Sequence, residues 1–422
     1  MQLGVARVDI TPEPPVPLAG FASRASLGPA TGVARPLHLR VLAFADARGH
    51  PAAVFAVADL LYWGPDVAAD VRARVAARFA IPDQAVVLHA THTHSGPQVS
   101  RRFTPLLGAP HPPYLRRLGP AVVAAVDEAF GNAEPVTVRR GEAPCRLATN
   151  RRIARVGGPD AKAAVDPTVT VVRFDSSAGR VKGLLAHFAC HPVVTHANTV
   201  SADFAGAAMD AVEQRLPPGA VAAYAQGCCG DLNPDRYVDG DFVDGDESDV
   251  HACGVRLADA VGAALGEAGP AATVAVETSR SVVELPVEPV PDEATLHDLR
   301  GRPGVVGEWA ALLASDPERR WSTVSMELSL LRLSSDLVLL GMSAEPTSAY
   351  GRWVKERYAG RVLPLGYTNG MFGYLVTDAE LDGGGYECVE APLYFAMPGP
   401  LARGAEGVAR AGIEAALAPV VR

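Results

Sequence analysis

The chain has 422 residues, 48% of them hydrophobic and 20% charged, a composition able to bury a large core. A formal net charge of −9 excludes the basic stripe of a nucleic-acid surface. No apolar run approaches the roughly 20 residues of a membrane span. The opening "MQLGVARVDITPEPP" lacks the apolar core of a leader. The six cysteines follow no C-x-x-C spacing, so the expectation is a cytoplasmic chain with reduced thiols.

In chain order, "HLRVLAFAD" (38–46) and "PAAVFAVADL" (51–60) predict neighbouring strands. "DVAADVRARVAARFA" (66–80) predicts an amphipathic helix, and "QAVVLHAT" (84–91) the buried strand after it. A helix over 114–133 precedes strands at 167–175 and 181–190. A helix at 203–216 and a strand at 220–227 follow. Later come strands at "VSMELSLLRL" and "DLVLLGMSA", a helix beginning at Pro346, and a final helix from about Leu401 to Pro419. This alternation predicts an α/β fold with mixed β-sheets flanked by helices. No linker divides the chain, so 1–422 reads as one domain, with the Pro-rich stretch 283–320 as a lid or insertion. The acidic stretch 235–249 lacks the oxygen ladder of an EF-hand and reads as a solvated loop. "LDGGGYE" (381–387) reads as a flexible turn.

Chemistry concentrates where apolar runs end. "HATHTHSG" carries His89, His92 and His94. In an extended segment alternate side chains share a face, so His92 and His94 are expected to point together and His89 away. "LLAHFACHPVVTH" ends a second apolar run with His191 before Pro192, which stops a strand. Two sequence-distant strand ends bearing histidine suggest convergence on a catalytic zinc, which takes three or four N/O ligands and keeps a position for water.

Ordered blocks along nearly the whole chain resemble the catalytic domain of the neutral/alkaline (non-lysosomal) ceramidases. They are "GVARVDITP", "ATHTHSGP", "TNRR" (149–152), "HFACHP", "GDLNPD" (230–235), "SAEPTSAYG" (343–351) and "GYLVTDAELDGGGYE" (373–387). The resemblance implies one zinc per chain held by His92, His191, Glu345 and Tyr374. It implies that His94 stands beside the metal as a proton shuttle rather than a ligand. It also implies that Arg151 reaches the substrate carbonyl, with Tyr386 as a second donor to an oxyanion.

The pattern breaks at Asn233, which occupies the place of a serine important for activity in that family. Asn cannot be an acylated nucleophile, although its amide can orient substrate or water. The expected activity is zinc-dependent hydrolysis of an amide (N-acyl) bond in a small-molecule or lipid-like substrate, without nucleic acid and without an integral membrane segment. Ester or lactone hydrolysis, or cyclisation and acyl transfer in a biosynthetic pathway, is the alternative use of the same site. A non-catalytic binding protein is the third reading, against which the four presumptive ligands weigh.

Overall fold

The computed structural model describes residues 1–158, 160–238 and 241–421. Among these, the α/β alternation forms a nine-stranded sheet and a four-stranded sheet, with shorter strand pairs between them. In spatial order the large sheet runs Val86–Ala90, Pro51–Ala58, His38–Ala45, Gln2–Asp9, Glu134–Pro144, Thr168–Ser176, Val181–Phe188 and Val221–Gln226. Ala272–Thr273 pairs onto Glu134–Pro144.

The two halves of this sheet repeat one topology. Each has three antiparallel strands, then a crossover helix, then a fourth strand parallel to the third. The crossovers are Pro65–Phe79 and Asp203–Arg215, and parallel neighbours require such a connection. The halves join through Gln2 and Leu3, which pair with Pro135 and Glu134. They fold toward one another, so that Phe44 packs edge-on against Phe174 at 5.6 Å. Outside them lie Pro112–Gly131 and Glu247–Gly266. Each helix presses on the first strand of its half at a glycine. A Cβ on Gly4 would fall 1.6 Å from the Ala129 carbonyl oxygen, and one on Gly141 1.9 Å from that of Ala264.

The outer parallel strands meet through His89. Its Nε2 accepts the Gln226 N–H at 2.8 Å. Burial pushes the ring pKa down to about 3, so it stays neutral and holds the fold.

The four-stranded sheet consists of Glu277–Pro286, Thr323–Ser334, Leu337–Met342 and Val362–Leu365, the last pair parallel. The stretch 283–320 thus starts inside a strand. It continues as helices Glu293–Leu299 and Val305–Ser315, which bury Leu296, Trp309 and Leu313 together. The acidic stretch forms the pair Tyr237–Val238 and Asp241–Phe242, and then Asp246 caps Glu247–Gly266. Residues 239 and 240 of that stretch lie outside the described residues. Of the "LDGGGYE" segment only Gly384 and Gly385 form a turn, at φ +61° and +97°; Leu381–Gly383 ends one short helix and Tyr386 and Glu387 begin the next. Among the described residues no helix is long and apolar enough to cross a membrane.

Candidate metal centre

The strand bearing the first histidine motif ends at Ala90, before His92. His92 has φ +68°, left-handed backbone that costs an ordinary residue of order 1–3 kcal/mol. Alternation along a strand therefore does not aim His92 and His94. A turn at His92 does so, held by its N–H donating to the Leu60 carbonyl at 2.9 Å. His191 follows the strand Val181–Phe188, as its proline neighbour suggested, and its N–H donates to the Leu232 carbonyl at 3.0 Å.

All three rings are anchored in the same way. His92 Nδ1 lies 2.7 Å from the Leu61 carbonyl oxygen and His191 Nδ1 2.6 Å from that of Cys229. His94 Nδ1 lies 3.2 Å from that of Gly20. A carbonyl only accepts, so each Nδ1 carries the proton and each Nε2 offers a lone pair. These lone pairs converge. His94 Nε2 is 3.2 Å from His92 Nε2. Glu345 Oε1 is 2.8 Å from His191 Nε2 and 3.3 Å from His92 Nε2. Lone pairs facing one another and a carboxylate repel unless a cation lies among them, and neutral imidazole with carboxylate is a donor set that zinc accepts. His92, His94 and His191 form a group able to hold a metal ion, their ligand atoms within 4.8 Å of one another.

The protonation states suit that role. Burial pushes His191 down to about 4, although the Glu345 carboxylate beside it favours the charged ring. Burial, and then the neighbouring His92 and His191, hold His94 well below the usual imidazole value. Burial alone would raise the Glu345 carboxyl, but His92 and His191 outweigh it and keep it ionised.

Glu345 and Tyr374 reach the group through a two-residue parallel pair, Glu345–Pro346 with Tyr374–Leu375. Burial, and then Glu345, raise the Tyr374 phenol well above its usual value, although Arg151 opposes them. Its oxygen accepts from Arg151 Nη2 at 3.1 Å. Arg151 opens a short helix capped by Asn150, whose side chain accepts from the N–H groups of Arg152 and Ile153. Its Nη1 donates to Asn233 Oδ1 at 3.2 Å. Asn233 lies opposite Thr149 in an antiparallel pair, which brings the two motifs together. Tyr386 packs edge-on against Tyr374 at 6.0 Å, and its hydroxyl has no hydrogen-bond partner among the described residues. All eight residues singled out from sequence gather around one point or touch a residue that does.

Two participants were not singled out from the sequence. Glu387 is buried and takes Arg151 Nε at 2.8 Å on one oxygen and Arg152 Nη1 at 2.6 Å on the other. Tyr367 stacks on His92 with ring centroids 3.9 Å apart. A buried acid needs a partner, so Glu387 beside Tyr386 could have been paired with the arginines of "TNRR". Nothing local marks Tyr367. Burial raises the Cys228 and Cys229 thiols, which argues against a thiolate nucleophile.

The profile of the family described as neutral/alkaline non-lysosomal ceramidase, N-terminal, matches residues 1–264. Among solved structures, a neutral ceramidase from Pseudomonas aeruginosa is 20% identical, with a TM-score of 0.77 over 99% of this chain and 74% of that one. A ceramidase complexed with C2 is also 20% identical, with a TM-score of 0.79 over 99% of this chain and 75% of the other. No curated protein matches the sequence. At such identity the structural likeness speaks for the fold.

Proposed function

Since the chain belongs to the neutral/alkaline non-lysosomal ceramidase family, we propose that it is a zinc-dependent hydrolase of an amide (N-acyl) bond. The observation that carries this reading is the convergence of three Nδ1-anchored imidazoles, two of which meet a buried carboxylate. His92, His191 and Glu345 hold the ion, with Tyr374 beside them as the fourth ligand. Zinc in such a site supplies a Lewis acid for the substrate carbonyl and lets water ionise near neutral pH.

The chain's own residues do the rest. Arg151 donates to the carbonyl oxygen as negative charge develops there, and the Tyr386 hydroxyl gives a second hydrogen bond. Asn233 holds one arm of the Arg151 guanidinium and provides no acylation site. His94, the least buried of the three imidazoles, carries the proton to the departing amine. Small-molecule and lipid-like amides both suit this chemistry.

Asn233 also favours a second reading, in which the same centre opens an ester or lactone or transfers an acyl group. The test is metal analysis of the purified protein, followed by turnover of matched N-acyl amides, esters and lactones before and after chelation. Stoichiometric zinc and amide turnover that is lost on chelation and returns with zinc are expected. Amide turnover indifferent to chelation would sink the metal mechanism, and turnover confined to esters or lactones would move the assignment to the second reading.

A further inference from the structure

Tyr367 belongs to none of the histidine or carboxylate motifs, yet it touches His92 and the supports of His191 and Glu345. Resting on the metal reading above, we propose that Tyr367 is a positioning residue that sets the affinity of that group for its ion. Its ring is fully buried and lies 3.9 Å from the His92 ring at an interplanar angle of 23°. The Nδ1 bond to Leu61 fixes one edge of the imidazole, but a ring held at one edge can still tilt. The stacked phenol closes one face and leaves His92 Nε2 a single direction.

The hydroxyl acts on the second histidine. It lies 3.0 Å from Cys229 Sγ, and the carbonyl of that same residue takes the His191 Nδ1–H at 2.6 Å. The backbone serves the remaining member. Tyr367 N–H donates to the Ala344 carbonyl at 2.8 Å, one residue before Glu345, while its own carbonyl accepts from Ala90 N–H at 3.2 Å, two residues before His92. Tyr367 therefore ties the end of one sheet to the strand end that delivers the carboxylate. It does so at φ +55°, left-handed backbone that a bulky residue rarely adopts. Glycine would fit that backbone without strain, so the ring is what the strain retains.

The experiment uses the full chain stripped of metal and titrated with Zn2+ against a chromophoric chelator, so that no substrate is needed. Tyr367→Leu and Tyr367→Phe are compared with the wild type, and circular dichroism and thermal melts of the metal-free forms report folding. Tyr367→Leu is expected to weaken zinc binding about 10- to 100-fold, the range for loss of groups that orient metal ligands. Tyr367→Phe keeps the stack and loses the sulfur contact, so a smaller loss in the same direction is expected. A purely structural role would lower the melting temperature and leave the zinc affinity of the folded protein intact, and that result in Tyr367→Leu overturns the proposal. Should Tyr367→Leu fail to fold, Tyr367→Phe decides, and wild-type affinity there overturns it. Wild-type protein that binds no zinc overturns this proposal and the metal reading together. Zinc binding that is equal in all three proteins overturns this proposal alone.

Discussion

His94 differs from His92 and His191 in exposure rather than in anchoring. Its Nε2 faces the same point as theirs, but the residue is only partly buried where His92 and His191 are buried, which suits the proton transfer proposed for it. His94→Gln is expected to keep zinc and to lower kcat about 10²- to 10⁴-fold, the usual contribution of general acid–base catalysis. Metal content and turnover measured on one preparation check this. Loss of zinc in that variant would make His94 a ligand instead. From the sequence, "HATHTHSG" marked the residue types and their crowding. It did not reveal how they are aimed, because the carbonyls of Leu61, Cys229 and Gly20 that select each tautomer belong to distant backbone with no side-chain signature. For the same reason the turn at His92 was invisible: a positive φ in a non-glycine residue is imposed by its surroundings.

At the scale of elements, the short strand pairs are what bring the candidate residues together. Two residues of parallel ladder align Glu345 with Tyr374, and three residues of antiparallel ladder set Asn233 beside the start of the Arg151 helix. Pairings this short leave no periodicity to detect in a sequence, whereas most of the long strands and helices did, with bounds that shift by only a few residues; the strands Gln2–Asp9 and Glu134–Pro144 and the helix Glu247–Gly266 were not read from it. The glycines under the covering helices show the other side of this. Gly141→Ala would drive a Cβ into the Ala264 carbonyl, 1.9 Å away, and backbone cannot yield as a flexible side chain can. The expected cost is about 1–3 kcal/mol, as for overpacked cores. Chemical denaturation checks it, and an unchanged unfolding midpoint would mean that Glu247–Gly266 can move outward freely.

Across the whole molecule, buried ionisable groups set opposing responses to acid. Burial, and then Lys355, lower His187 to about 3 in the folded chain, while an unfolded histidine titrates near 6.5. The unfolded state therefore binds more protons between these values, and this term takes away stability as pH falls from about 6.5 to 3. Asp203 and Asp59, raised by burial to about 7 and about 6, work the other way, because the folded state takes up their protons first. Replacing His187 by Gln, which can still donate to the Pro364 carbonyl, removes one acid-labile contribution. Its melting temperature is expected to fall less than that of the wild type between pH 6.5 and 4. Parallel melting curves across that range would refute the assignment.

The sequence by itself determined the α/β class, the succession of most elements, the histidines and acids worth examining, and the family resemblance that the profile over residues 1–264 bears out. These are local properties: hydrophobic period, turn residues, and residue types crowded at strand ends. Only the tertiary structure decided that the large sheet repeats one topology in two halves, since a repeat carried by hydrophobic pattern leaves no matching residues to find. It alone united Arg151 with Glu387, 236 positions away, and His92 with Tyr367. Contacts across such distances depend on how whole sheets fold onto one another, and a packed ring or a buried ion pair is specified by its surroundings rather than by its neighbours along the chain.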